Sequence, residues 1–239
     1  MQFLFSGQSN RKYIMEFYVI RHGQSQNNAW EGTGQRLADP PLTEIGQQQA
    51  QLVGAYLKEA EQTAGYGYDF DELYCSAHLR TLQTTAPIAK ALGLTPTIWL
   101  DVHEESGIFL DEGDGPVGHS GLTRSEIETQ FPNYVIPESV TDDGWWNRPK
   151  ETHAEMAVRA KRVAKTILSW DLDADKQIAI VSHGAFANAL VQALAGLEIT
   201  KMVYFGHYNT GISRFDFLDD VIYPRYLNRV EHLSPDLRT

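Results

Sequence analysis

Two short apolar runs, Phe17 to Ile20 and Ile178 to Val181, each lead within two residues to a histidine and then a glycine, in Arg21-His22-Gly23 and Ser182-His183-Gly184. Runs this short and this apolar read as strands buried inside a sheet. Glycine lets the backbone turn sharply where each run stops. Both histidines are thereby placed at the carboxyl ends of central strands, the edge at which open α/β sheets bind ligands. A third run, Glu72 to Cys75, leads into Ser76-Ala77-His78-Leu79-Arg80 and adds an arginine just beyond a strand. His22, His183, Arg21 and Arg80 are thus expected at three strand ends. That set describes a pocket for a tetrahedral dianion and points to phosphoryl chemistry on a histidine.

The segments between these strands have helical periods. Thr43 is the expected N-cap of a helix whose buried stripe is Ile45, Leu52, Val53, Tyr56 and Leu57. The helix after Ser76 turns Leu79, Leu82, Ala86 and Ala89 inward. Pro87 is expected to kink or shorten it, and Gly93 to stop it. Thr152-His153-Ala154-Glu155 is a capping box that opens a helix with Met156, Ala160, Val163, Ile167 and Trp170 on one face. A further helix covers Ala185–Ala195, and strands are expected at Thr97–Leu100, Gly211–Phe217 and from Val221 to Val230, before a polar tail. Helices separating apolar strands indicate an α/β fold, here a three-layer α/β/α sandwich on a mostly parallel central sheet.

Residues 101–150 depart from that pattern. Asp, Glu and Gly dominate from Asp101 to Gly115, and a capping box at Thr123-Arg124-Ser125-Glu126 opens a short helix ending near Phe131-Pro132. Trp145-Trp146 then stand in a polar stretch, where they could serve a lid or an interface. With too few apolar residues for a core of its own, the segment is expected to be a lid inserted in a single domain over residues 16–239, preceded by an N-terminal extension of residues 1–15. The turn-rich run from Trp30 to Pro41 is expected as a loop over the pocket.

A net charge of −11 argues against nucleic acid or anionic membrane as partners, and requires any attraction for a phosphorylated substrate to be local. Cys75 is the single cysteine, so a reducing, cytoplasmic setting is expected. No apolar run approaches the ~20 residues of a membrane span. Oligomeric state is left open.

Imidazole is a competent phosphorus nucleophile at neutral pH because one ring nitrogen keeps a free lone pair. For His22 to attack, its other nitrogen must donate to a backbone carbonyl or a carboxylate, and the sequence does not show which. Arg21 and Arg80 can hold phosphate oxygens bidentately, and a protonated His183 would donate to the equatorial oxygens. Taken singly, Arg80 is a helix-surface cation and His183 a core histidine; their placement just past strands favours the site. Phosphoryl transfer needs mainly positioning and charge stabilisation. No metal or other cofactor is expected, since the histidines lack paired helical spacing and no Asp-rich cluster joins them. A leaving alkoxide needs a proton, and His103-Glu104-Glu105-Ser106-Gly107 is the stretch that could supply an acid, if its carboxylates do more than decorate a loop.

Arg21-His22-Gly23, Ser76-Ala77-His78-Leu79-Arg80-Thr81-Leu82-Gln83-Thr84 and Ser182-His183-Gly184, in that order, resemble the histidine phosphatase superfamily, also called the phosphoglycerate mutase-like family, from Glu16 to about Phe217. The resemblance implies an α/β sandwich and a metal-independent phosphohistidine enzyme. It implies His22 as nucleophile, Arg21, Arg80 and His183 as phosphate pocket, and Asn28 as the asparagine following the first motif. It further implies Glu104 as the acid, with Glu105 as fallback because Gly107 aligns in more than one way. Asn209-Thr210-Gly211-Ile212 fits the family's last core strand as support. Gln24 stands where glutamate is common, and Cys75-Ser76-Ala77-His78 departs from the usual Ser-Ser-Pro, with His78 either approaching the pocket mouth or, as the preferred reading, a solvated helix start. Arg124, in a segment resembling a family lid, either touches a distal substrate group or is a surface charge.

The expected activity is hydrolysis of a phosphomonoester, carried by a small molecule or a phosphoprotein. Dedicated mutases of this family carry longer basic segments after the acid loop, whereas residues 101–150 hold only Arg124, Arg148 and Lys150 as cations. A phosphoglycerate mutase or sugar bisphosphatase is the alternative among enzymes. A noncatalytic module that docks a phosphorylated protein is the alternative of another class.

Overall fold

The computed structural model describes residues 15–30, 36–61, 67–170, 175–218 and 221–239. Residues 1–14, on which the expected extension falls, and residues 31–35 of the expected loop lie outside them. In chain order come β1 (Met15–Arg21), α1 (Gln26–Ala29), α2 (Glu44–Glu61), β2 (Glu72–Cys75), α3 (Leu79–Leu92) and β3 (Thr97–Ile98). These are followed by β4 (Phe109–Asp111), β5 (Pro116–Gly118), α4 (Arg124–Gln130), α5 (His153–Leu168), β6 (Lys176–Ser182), α6 (Gly184–Leu194), β7 (Ile212–Leu218) and β8 (Val221–Arg229). Six strands form one sheet in the order β3-β2-β6-β1-β7-β8. The first four are parallel, and β7 and β8 are antiparallel to their neighbours.

Alternation along β1 builds a layer on each face of the sheet. Tyr18 and Ile20 share a core with Val53, Leu57 and Leu82 of α2 and α3. Phe17 and Val19 share the other with Met156, Ala160 and Val163 of α5 and Phe186 and Leu190 of α6. The result is the expected α/β/α sandwich. Each fully buried Val, Leu, Ile, Phe or Met among them contributes roughly 1.5–3 kcal/mol on burial.

Both capping boxes form: Thr123 and Thr152 accept from the N–H of Glu126 and Glu155, whose side chains answer. Thr43 Oγ1 accepts the Gly46 N–H at 3.0 Å and caps α2. Pro87 does not shorten α3, which continues to Leu92 and ends on a left-handed Gly93. Its carbonyl lies only 2.9 Å from where a Cβ on Gly54 would stand, so α2 and α3 pack around the proline because Gly54 has no side chain.

Several sequence expectations are corrected. Ile45 is exposed, because at the first turn of α2 the inward position belongs to Gly46, whose Cβ would stand 2.0 Å from the Gln24 carbonyl. Thr97–Ile98 is a two-residue strand, and Leu100–Val102 turns into a 3-10 helix instead of extending it. Trp145 and Trp146 are buried and pack on His78 and His103, which removes them from any interface. They join Ile108, Ile127 and Val140 in the same core cluster as Leu82. Arg124 holds the carbonyls of Ile136, Pro137 and Val140 and so braces its own segment. The polar tail is docked, with Leu233 and Leu237 buried and the Asn209 N–H donating to the Thr239 carbonyl at 2.8 Å.

Candidate active site

Parallel pairing sets Arg21 opposite Ser182, and Cys75 opposite Val181. The three strands therefore end nearly level, and the residues just past them, His22, Ser76 and His183, meet at one edge. The rings of His22 and His183 lie 5.1 Å apart between centroids. A cleft of about 210 Å³ opens above His22, lined also by Arg80, Glu104, Glu105, Asn28 and Arg36, while Arg21 and His183 lie behind its lining. A larger one of about 530 Å³ between Trp146, Arg148, Val158 and Arg162 contains none of the strand-end residues.

His22 is buried, and its backbone is held from both sides. Its N–H donates to the Ser182 carbonyl at 2.9 Å, and its carbonyl accepts from Asn209 Nδ2 at 2.8 Å. The ring Nδ1–H donates to the Gly23 carbonyl at 2.6 Å. That assigns the lone pair to Nε2, which accepts from Arg80 Nε at 3.2 Å. The partner that the sequence could not show is thus the motif's own glycine. Burial, reinforced by Arg80 and then Arg21, holds the imidazole pKa well below its ordinary value, so His22 is neutral. Gly23 is required because a Cβ there would stand 2.5 Å from the Gly46 carbonyl.

Arg80 lies in the first turn of α3, with Nη1 3.1 Å from His78 Nδ1 and 3.6 Å from the Asp39 carboxylate. Arg21 donates to the His207 carbonyl at 2.6 Å, while its buried Nε is bonded to nothing among the described residues. Burial lowers both guanidinium pKa values, opposed by Asp39 at Arg80 and by Glu104 at Arg21. His183 Nε2 lies 2.9 Å from Ser76 Oγ. Burial, then Arg80, His78 and His22, hold its pKa well below the usual value. These neighbours work against the protonated His183 that the sequence led one to expect.

Glu104 comes to the same place by a different route. Its Oε1 accepts the N–H of Phe186 at 2.9 Å and of Glu105 at 2.9 Å, while Oε2 receives only a 3.4 Å contact from the Ala185 N–H. The carboxylate thus sits at the positive end of α6. Glu105 instead pairs with His153 at 2.9 Å. The loop between is fixed by Arg159, whose Nη1 donates to the carbonyls of Asp101 and His103, and by Gly107. At φ 69° that glycine lies flat on Trp146, 2.0 Å from the ring if it carried a Cβ. Asn28 completes the capping box that Ser25 opens on α1, its Oδ1 accepting from the Ser25 N–H at 3.2 Å and from Asn209 Nδ2 at 3.3 Å.

His78, read as a solvated helix start, is fully buried between Trp145 and His183. Asp39 and Arg159 also escaped the sequence reading. Arg159 had a signal, since it lies three residues after Met156 on the buried stripe of α5. Among the described residues no group of three His, Cys, Asp or Glu side chains is disposed to hold a metal ion, and no helix is long and apolar enough to cross a membrane.

The sequence profile of the histidine phosphatase superfamily (branch 1) matches residues 17–229. The chain belongs to this superfamily. It is 28% identical over 211 residues to a probable phosphoglycerate mutase GpmB of Citrobacter koseri, covering 87% of each chain. It is 26% identical to phosphoserine phosphatase 1 of Hydrogenobacter thermophilus, covering 84% of this chain and 85% of that one. A PE-PGRS family protein of Mycobacterium tuberculosis matches at 34% identity over 44% of this chain, which is 17% of that protein's length. The fold is shared with the crystal structure of a phosphoserine phosphatase from Entamoeba histolytica in complex with 3-phosphoglyceric acid, at a TM-score of 0.60 and 22% identity over 92% of this chain and 100% of that one. The chain is therefore a histidine phosphatase-superfamily enzyme.

Proposed function

We propose that this enzyme hydrolyses a phosphomonoester through a phosphohistidine on His22. The observation that carries the reading is the Nδ1–H to Gly23 bond, which leaves a neutral Nε2 lone pair facing a cleft flanked by fixed cations. Nε2 attacks phosphorus in line, and Arg80 exchanges its bond to that nitrogen for one to a phosphoryl oxygen. The ester P–O bond breaks, and the leaving oxygen takes a proton from Glu104. Oε2 is the oxygen suited to carry that proton, because Oε1 already accepts two short backbone bonds. Water then attacks the phosphohistidine and returns a proton to Glu104. The P–N bond breaks, releasing inorganic phosphate and neutral His22.

Arg21, Arg80 and His183 stabilise the equatorial oxygens, and Asn28 lines the entrance. Hydrolysis is favoured over phosphoryl return to a bound product because the cations of residues 101–150 are committed elsewhere. Arg124 braces carbonyls, Arg148 stacks on Trp146 and donates to His103, and Lys150 sits over Phe109. The substrate is a phosphorylated small molecule, matching a cleft of about 210 Å³.

Turnover of p-nitrophenyl phosphate with rapid quenching tests the mechanism. An acid-labile, alkali-stable phosphoryl group on His22 is expected, and His22→Ala should lower turnover by about 10³-fold or more. Full activity in that variant with no labelled protein would refute the mechanism. Phosphate binding without turnover would favour the docking alternative.

A further inference from the structure

Asp39, His78 and Arg80 form a triangle beside the nucleophile, with His78 and Arg80 buried and Asp39 half-buried. Asp39 Oδ1 lies 3.2 Å from His78 Nδ1 and 3.6 Å from Arg80 Nη1, and His78 Nδ1 lies 3.1 Å from that same arginine nitrogen. Both Asp39 oxygens also accept the Leu79 N–H, at 3.2 and 3.1 Å. Asp39 thus caps α3 from outside, where the N-cap residue His78 makes no side-chain cap bond. The second nitrogen of His78, Nε2, is buried and bonded to nothing among the described residues, as is Nδ1 of His183. The two rings meet edge-on with centroids 4.6 Å apart.

A neutral imidazole nitrogen either donates or accepts, so His78 Nδ1 cannot serve both neighbours. With its proton on Nδ1, His78 donates to the Asp39 carboxylate. The Arg80 Nη1–H on that side then has only Asp39 at 3.6 Å, beyond bond distance. With the proton on Nε2, Nδ1 accepts from Arg80 and turns its lone pair toward Asp39. Two facing acceptors are tolerated there only if the carboxyl itself carries a proton.

We propose that Asp39 and His78 are positioning residues for Arg80: the ionised carboxylate draws the His78 proton onto Nδ1 and frees an Arg80 N–H for the phosphoryl oxygens, whereas protonated Asp39 ties that N–H back to His78. The proposal rests on the phosphate-site reading of Arg80 given above. Burial pushes the Asp39 pKa up to about 6, against the pull of Arg80 and the Leu79 N–H. Burial, then Arg80 and Arg159, keep His78 far below its ordinary value, so the ring changes tautomer rather than charge. The other charged or titratable groups facing the triangle are Arg21 and His22 at the end of β1, Arg36, Glu104 and His103 of the acid loop, Arg159 of α5 and His183. Asp39 is the one among them that touches both His78 and Arg80. The site is competent above about pH 6 and loses one Arg80 donor below it.

The test is two-bond ¹H–¹⁵N correlation on full-length protein labelled in histidine, from about pH 8 to about pH 5. The bare nitrogen of His78 is expected to move from Nε2 to Nδ1 as Asp39 protonates, and Asp39→Asn to abolish that pH dependence. His78→Leu assigns the signals, and backbone assignment replaces it should that variant not fold. Calorimetric binding of inorganic phosphate supplies a second readout. The ratio of wild-type to His78→Leu affinity should fall about tenfold between pH 8 and pH 5.5, the size of one lost charge-assisted bond. A single His78 tautomer throughout, or a constant ratio, overturns the proposal even if the enzyme turns over substrate. The tautomer change with phosphate binding but no turnover upholds it while the catalytic reading fails.

Discussion

Replacing Arg159 with methionine is expected to cost about 3–5 kcal/mol of folding stability, the range for removing one partner of a buried ion pair. Arg159 and Glu151 are 4% and 10% exposed in their side chains and meet at 2.6 Å. A second bond at 2.8 Å makes the pair bidentate. Methionine keeps the stem against Phe186, over which the guanidinium sits at 4.5 Å. It strands the Glu151 carboxylate and the carbonyls of Asp101 and His103. Against a total stability of about 5–15 kcal/mol this is a large loss, and for a chain of this size it lowers Tm by roughly 6–20 °C. Urea denaturation reads it as a shift in midpoint at unchanged slope. Adding Glu151→Gln should recover at least about 1 kcal/mol, because the uncompensated charge dominates the penalty. Since Arg159 holds the backbone on either side of Val102, turnover should fall up to about 10²-fold, as for a displacement near 1 Å. A loss below about 1 kcal/mol, or no recovery in the double variant, would refute the reasoning.

Acid should unfold the protein early. His22, His78, His103 and His183 all have folded pKa values below the ordinary one, chiefly through burial. Their contribution is full above about pH 6.5 and declines below it, each by up to about 1.4 kcal/mol per pH unit, because the unfolded chain takes up protons first. Asp39, raised to about 6, acts in the opposite sense but is one group against these four and His207 and His232, which burial also lowers. A urea midpoint that stays flat from pH 7 to pH 5 would contradict this. Gly107→Ala combines a left-handed φ with a Cβ 2.0 Å from the Trp146 ring; it should cost about 2–4 kcal/mol and depress turnover, measured by urea midpoint and p-nitrophenyl phosphate rate. Gly54→Ala gains about 1 kcal/mol of helix propensity but meets the Pro87 carbonyl at 2.9 Å. A net loss of about 1 kcal/mol or more is expected, and a gain in thermal midpoint would show that α2 and α3 part easily.

What the chain discloses unaided is local. The strand ends at Arg21 and Ser182 are legible because an apolar run stops abruptly at His-Gly, and the helix starts at Thr123 and Thr152 because a capping box spans only four residues. His22, His183, Arg21 and Arg80 follow from those ends and meet because the pairing is parallel and nearly level. Asp39 is illegible, since it caps a helix 40 positions away and sits in a run of turn formers. His78 looks solvated beside Leu79 until Trp145 closes over it. Ile45 obeys the helical period, yet only the approach of Gln24 to Gly46 reveals that the inward side of that turn has no room for a side chain.

The charge of the chain and the charge of its candidate site pull in opposite directions, and their balance bears on how an acidic protein would take the proposed dianionic substrate. At −11 overall the exterior repels phosphate over a Debye length of about 8–10 Å. Within the cleft the order reverses. Arg21 has no carboxylate within ion-pair distance among the described residues, and Arg80 has Asp39 no nearer than 3.6 Å. Both guanidinium groups have given up hydration without a matched counter-ion, which is what the lowering of their pKa values by burial records. Buried Nε of Arg21 and Nδ1 of His183 add polar positions that nothing among the described residues answers. On the proposed mechanism, a phosphoryl group with three equatorial oxygens would meet those unmet demands together, and most fully as its charge spreads outward when the ester bond breaks. Affinity and rate would then come from the same residues, and the acidic surface would affect only how often the substrate arrives.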